Sequence, residues 1–149
     1  MKKEGMKAGV DYPGISIVFY CHDGKGNFVM AKRGPNCRDE IGVWDPGAGA
    51  LELGERVKTA LRREVREEYR SRVIAIEHLG FRDVHRVHER KRTHWIALDF
   101  KVQVDRTMVR NGEPDKFTDI GWFRIDDLPT PLHSQMQVFV EKYRDQLIA

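Results

Sequence analysis

Three glutamates, Glu64, Glu67 and Glu68, are separated by steps of three, four and one residues. On a helix such spacings put side chains on one face within a turn of each other, so the three carboxylates can converge on a point. Three hard, anionic oxygen donors on a rigid support suit Mg²⁺ or Mn²⁺. The competing reading makes them surface ion-pair partners of Arg62, Arg63 and Arg66.

A helical wheel over residues 55–69 separates the two. At ~100° per residue, Val57, Ala60, Leu61 and Val65 form one apolar stripe. Glu64 and Glu68 fall inside it and Glu67 at its edge, whereas Lys58, Thr59, Arg62 and Arg66 lie opposite. A solvated helix would mix its glutamates with its arginines. Carboxylates among aliphatic side chains are costly unless a cation compensates them, which favours the metal reading. Just upstream, Gly47, Gly49 and Gly54 bracket a compact loop whose backbone can approach a ligand closely, since no Cβ intrudes.

The elements around that helix follow from pattern. Residues 15–20 are β-branched and aromatic and predict a strand; the Asp23-Gly24 and Gly26-Asn27 pairs predict a turn, and residues 28–31 return as a second strand. Residues 41–44 form a short apolar segment. Residues 73–81 and 93–104 read as strands, with the polar stretch 82–92 between them as a hairpin end or loop. A further strand is expected over residues 120–125. Residues 134–147 have helical periodicity, with Met136, Phe139, Val140 and Tyr143 on one face. Strands, helix, strands, helix make an α/β chain with a mixed sheet packed by helices.

A chain of 149 residues fits one domain, read here as residues 1–149 with a loosely ordered leader over 1–12. Two cysteines, Cys21 and Cys37, are too few for a disulfide framework or a zinc site and are expected to be free thiols in a reducing cytoplasm. The leader carries lysines with no apolar run after them, and no stretch approaches the ~18 apolar residues of a membrane span. The formal charge of +3 suits an anionic substrate but is too small to argue nucleic-acid binding.

Residues 49–71 resemble the Nudix box, G-x5-E-x7-R-E-U-x-E-E-x-G-U with U aliphatic. Gly49, Glu55, Arg63, Glu64, Val65, Glu67 and Glu68 fall on its fixed positions. Trp44-Asp45-Pro46-Gly47 before the box and Gly121-Trp122-Phe123 after it are also similar to family sequences. Two positions depart: Arg70 stands where the pattern has glycine and Ser71 where it has an aliphatic residue. That glycine normally allows a left-handed helix cap, so the helix is expected to stop differently, in a tighter turn or one turn later.

The resemblance implies a single-domain Nudix α/β/α sandwich and Mg²⁺- or Mn²⁺-dependent hydrolysis of a phosphoanhydride in a small nucleoside-diphosphate-linked substrate. It implies Glu67 and Glu68 as metal ligands, Glu64 as ligand or base, and the backbone carbonyl near Gly49 as a further ligand. Arg63 would pair with Glu55 and hold loop and helix in register. Glu113 and Asp115 are additional candidates for the general base, set against an ordinary polar turn. The marks of the family's ADP-ribose and dinucleoside-polyphosphate subgroups are absent around Arg86 to Glu89, and the loop Glu113-Pro114-Asp115-Lys116 looks more like members that cleave nucleoside triphosphates. Trp44 and Trp122 are candidates to stack on a base and Arg92 to meet a phosphate; core packing and a solvated loop are the plainer alternatives. Three histidines near the basic cluster of Arg82, Arg86, Arg90, Lys91 and Arg92, namely His85, His88 and His94, match no zinc spacing well. The rival functions are a non-catalytic nucleotide sensor, which would be expected to show a degenerate acid set, and an RNA-end-processing enzyme, which would need a broad basic groove. A homodimer is left open.

Overall fold

The computed structural model describes residues 5–149. The strand β1 (Gly14–His22) lies at the centre of a mixed sheet, pairing in parallel with β6 (Lys91–Val104) over its whole length, from Gly14↔Trp95 to His22↔Gln103. Beyond β6 lies β5 (Val73–His88), antiparallel. On its other side β1 meets β2 (Phe28–Arg33) at one end and β4 (Ala48–Ala50) at the other. The strands β3 (Trp44–Asp45) and β7 (Phe117–Phe123) both pair with β2. The order β3-β2-β1-β6-β5, with β4 and β7 branching from it, makes seven strands among the described residues.

Alternation along β1 and β6 sends side chains to two cores. Ile17, Phe19, Cys21, Phe100 and Val102 pack beneath α1 (Val57–Tyr69) with Ala60, Leu61, Val65 and Tyr69. Tyr20, Phe28 and Met30 pack beneath α2 (Met136–Ile148) with Met136, Phe139, Val140, Tyr143 and Leu147. Tyr20 and Phe139 stack with ring centroids 3.6 Å apart. One helix on each face gives the expected α/β/α sandwich.

The structure adds detail to three local expectations. Of the two readings of residues 82–92 the hairpin end holds, and it is strand almost throughout: β5 and β6 run on to a two-residue turn at Glu89 and Arg90, both left-handed (φ 51° and 65°). Such turns ordinarily carry Asn or Gly, so this one has no recognisable signature. The helix α1 stops where glycine would stop it. Arg70 itself adopts the left-handed conformation (φ 58°, ψ 20°), its N–H donating to Arg66 O. Ser71 is buried because its hydroxyl donates to Arg72 O at 2.8 Å and accepts from Asp105 N at 3.1 Å, tying the helix exit to the end of β6. Lastly, the described part of the leader passes beside β6, where His94 N donates to Gly9 O at 2.8 Å; residues 1–4 lie outside the described part. Both cysteines are free and buried, and among the described residues no helix is long and apolar enough to cross a membrane.

Candidate active site

The site is built where α1 crosses the Pro46–Ala50 segment. Gly49 sits on β4 opposite Ile17, the residue of β1 that packs beneath α1. A Cβ at Gly49 would lie 2.1 Å from Glu64 Cδ, so glycine there is what lets the Glu64 carboxylate rest on the strand. A Cβ at Gly47 would meet the Phe19 ring at 2.3 Å and Glu68 Oε2 at 2.9 Å. The Tyr69 hydroxyl donates to Pro46 O, clamping the loop to the helix end from below.

The three glutamates sort as the wheel requires. Glu68 is 2% exposed, Glu64 is half-buried beside Arg63, and Glu67 is exposed at the edge. Burial pushes the Glu68 carboxyl well above the usual carboxylate range, and Asp45 and Glu113 add to the rise. Burial also raises Glu64, against the opposing charge of Arg63. Glu68 Oε2 is buried without any hydrogen-bond partner. A buried acceptor with no donor costs about 1–3 kcal/mol, more when charged. Two raised carboxylates, one with an orphaned oxygen, beside a backbone from which side chains are missing, are a donor set that fits a divalent cation.

Arg63 ties the set together. Its Nε and Nη2 donate to the two oxygens of Glu55 at 2.8 and 3.0 Å, and its Nη1 reaches Glu64 Oε1 at 2.9 Å and Glu67 Oε1 at 3.4 Å. The bidentate bond holds the Glu55 carboxyl below its usual range, and Glu55 Oε1 accepts from Glu52 N at 3.3 Å, fixing the loop before the helix.

Of the candidate bases, Glu113 is close enough for its charge to raise both Glu64 and Glu68, and its loop docks on the helix end through Gly112 N to Glu68 O at 2.8 Å. Asp115 is exposed, and what it contributes is a carbonyl to Asn36 Nδ2 at 2.9 Å. Lys116, read from the sequence only as part of that loop, places a positive charge that opposes part of the rise at Glu68.

A cleft of about 260 Å³ opens on the α2 side of the sheet and reaches Asp45, Pro46, Ala48, Gly49 and Ala50. Its floor is Ser16, Val18, Tyr20 and Ala97, and one wall is Trp95, Val84 and Met136. Its arginines are largely committed: Arg33 to Asp45 (3.0 Å) and Asp39 (3.2 Å), Arg86 to Glu40 (2.6 Å) and Asp39 (3.2 Å), and Arg82 to Asp99. None of the three substrate candidates read from the sequence lines it. Trp44 packs edge-on against Phe123 (5.1 Å), Trp122 lies under the Arg106 guanidinium (4.5 Å), and Arg92 is exposed on β6 near the hairpin tip. The aromatic residues that do line the cleft are Tyr20 and Trp95, which strand alternation along β1 and β6 would have singled out had the sheet order been known.

Comparison with known proteins gives a consistent picture. The NUDIX domain family model matches residues 12–143. The chain is 32% identical over 122 residues to nucleoside triphosphatase NudI of Klebsiella pneumoniae, covering 76% of this chain and 84% of that protein. It is 31% identical over 127 residues to NAD-capped RNA hydrolase NudC of Pseudomonas aeruginosa, covering 85% of this chain but only 42% of NudC's length. Among solved structures, a MutT NUDIX hydrolase from Burkholderia pseudomallei superimposes with TM-score 0.76 at 26% identity, covering 87% of this chain and 97% of that one. The NUDIX domain of Shewanella oneidensis NrtR, complexed with ADP ribose, shares the fold at TM-score 0.73 and 16% identity, covering 99% and 94%.

Proposed function

The chain belongs to the NUDIX domain family, and from that premise we propose that it hydrolyses a phosphoanhydride bond of a nucleoside triphosphate or closely related nucleotide. The observation that carries the reading is Glu68: a fully enclosed carboxylate with one oxygen unpartnered, beside Glu64 and the Gly47–Gly49 backbone. Glu64, Glu67 and Glu68, with the backbone carbonyl of Gly49, are the groups that would hold Mg²⁺ or Mn²⁺. Such an ion, when bound, offsets the charge of the phosphates and makes a water proton easier to lose.

The remaining work falls to the chain's own residues. Water adds to one phosphorus, the bond from that phosphorus to the bridging oxygen breaks, and a nucleoside monophosphate and a phosphate-bearing product leave. The proton released by the water passes to a carboxylate. Glu64, whose proton affinity burial already raises, is suited to take it, with Glu113 as the second candidate. Arg63 keeps Glu64 from swinging away by holding it and Glu55 at once. The nucleoside end is assigned to the cleft, where Trp95 and Tyr20 offer apolar surface next to Asp45 and Pro46. The likeness to nucleoside triphosphatase NudI over most of both chains supports a triphosphate over a capped RNA. The small charge surplus supports the same choice.

A panel of nucleoside triphosphates, dinucleotides and nucleotide sugars, incubated with Mg²⁺ or Mn²⁺ and resolved by product, tests the proposal. Release of a nucleoside monophosphate from at least one triphosphate is expected. Tight binding across the panel without turnover would replace the enzyme with a nucleotide sensor.

A further inference from the structure

The β5–β6 hairpin carries a second group of metal-ligating side chains, on the face opposite the cleft. Arg82, Val84, Arg86, Thr93 and Trp95 line the cleft, so alternation turns Asp83, His85 and His94 to the other side of the sheet. His85 and His94 are directly opposite each other in the ladder, and Asp83 precedes His85 by two residues on the same face. The two imidazoles stack with centroids 4.2 Å apart and planes at 26°. His94 Nε2 lies 3.0 Å from Asp83 Oδ1. One donor atom from each of the three residues lies within 4.8 Å of the other two.

We propose that Asp83, His85 and His94 form a site for a transition-metal dication of the Zn²⁺ class, separate from the all-carboxylate set on α1. Imidazole nitrogen is a donor that zinc, copper and nickel favour over magnesium, so the two sites differ in the metals they select. Donors bound to Zn²⁺ at ~2.0–2.2 Å in a tetrahedron sit about 3.4 Å from one another. The Asp83–His94 pair, at 3.0 Å, needs to open by only about 0.4 Å to reach that separation. Asp83 and His85 are exposed, so rotation of unpacked side chains closes the remaining distance. An ion pair of His94 with Asp83 alone gives no reason for a second imidazole stacked on the first, whereas a three-donor site uses it. Three protein ligands leave a fourth position for water or an anion, the arrangement of an open rather than a sealed zinc site. The cross-strand position gives the site its rigidity: the two histidines are carried on neighbouring strands whose register is fixed on both sides, from Asp83↔Ile96 to His88↔Lys91.

The test uses the intact chain with Mg²⁺ in large excess, so that the carboxylate set is saturated, and titrates Zn²⁺ against a chromophoric chelator. One equivalent of Zn²⁺ that Mg²⁺ does not displace is expected. His85→Ala and His94→Ala should each weaken it by about tenfold or more, and Glu68→Gln should leave it unchanged. His94→Gln keeps the bulk of the cross-strand pair and should weaken it equally, which separates loss of a donor from loss of packing. Imidazole proton resonances of His85 and His94 should move on addition of Zn²⁺ while that of His78, elsewhere on β5, stays. Turnover of a nucleotide with Mg²⁺ should be unaffected by His85→Ala. The site is refuted if the chain binds no Zn²⁺ under these conditions, or if the His85 and His94 variants bind it as tightly as the unaltered chain.

Discussion

Glu68 and Asp99 are carboxylates buried against opposite faces of one sheet, 2% and 0% exposed, and the protein treats them in opposite ways. Asp99 is completed from within. Arg82 Nε and Nη2 donate to its two oxygens at 2.7 and 2.9 Å, and the Tyr143 hydroxyl from α2 adds a third bond at 2.8 Å. The third guanidinium nitrogen, Nη1, finds no acceptor, but the charge lies over the Phe139 ring at 5.1 Å. Among the described residues Glu68 takes no hydrogen bond from an arginine or a hydroxyl, and its Oε2, next to the position a Gly47 side chain would fill, has no hydrogen-bond partner. A buried acid that the fold satisfies is part of the scaffold; one that the fold leaves short is waiting for something from outside. The pairing of neighbours, more than burial itself, separates structure from function here.

Matched amide substitutions break the comparison in two directions. Asp99→Asn leaves Arg82 as an uncompensated buried charge and should destabilise the fold by about 3–5 kcal/mol, measured by urea unfolding. Loss of less than about 1 kcal/mol would mean that the Arg82–Asp99 pair is no more structural than a surface bridge. Glu68→Gln should instead lower turnover ~10²-fold or more at saturating Mg²⁺ while sparing the fold. Near-normal turnover in that variant would remove Glu68 from the metal site.

Arg63→Lys sharpens the contrast between the faces from the middle of the range. Lysine keeps the charge but cannot hold both oxygens of Glu55 and reach Glu64 as well. About tenfold loss of turnover is expected, with thermal stability almost unchanged because the pair is partly exposed. A large fall in melting temperature with intact turnover would make Arg63 a scaffold residue like Arg82.

The smallest effect concerns acid. Asp23 is a third kind of carboxylate. Burial opposes its ionisation, but bonds from Asn27, Lys25 N and Arg106 prevail and hold it at about 2. A depressed folded value means that the stability it contributes is present above the unfolded value near 3.8 and is lost as pH falls towards 2. Asp23→Asn should therefore flatten the decline in stability between those pH values. Glu68 works with the opposite sign. In metal-free protein its raised value means the folded state keeps a proton that the unfolded chain has released, so its contribution falls as pH rises above about 4.5. An unchanged acid limb in Asp23→Asn would contradict the hydrogen-bond account of that turn.

What was legible in the sequence followed from short-range geometry. The stripe of Ala60, Leu61 and Val65 with Glu64 and Glu68 inside it needed only helical periodicity, and the Arg63–Glu55 pair needed only the helix and the loop before it. Residues of the cleft were not legible, because Tyr20, Trp95, Arg33 and Met136 come from four separate elements that only sheet order brings together. The neighbours of Trp44 and Trp122 were hidden for the same reason: nothing local says that Phe123 packs against one and Arg106 over the other. The position of the hairpin turn and the form of the helix stop were not legible because Glu89, Arg90 and Arg70 accept left-handed backbone without glycine, a local cost of roughly 1–2 kcal/mol per residue that tertiary contacts must outweigh.

The most direct test of the unfinished-carboxylate account is thermal unfolding of the unaltered chain and Glu68→Gln, each with chelator and with Mn²⁺. The expected result is a metal-dependent rise in melting temperature for the unaltered chain that is lost in the variant, while the metal-free variant melts at the same temperature or higher, since an enclosed acid that resists ionisation has been replaced by a group that does not ionise. If Glu68→Gln kept the full Mn²⁺-dependent rise and melted lower than the unaltered chain without metal, Glu68 would be a scaffold acid like Asp99, and the claim would fail.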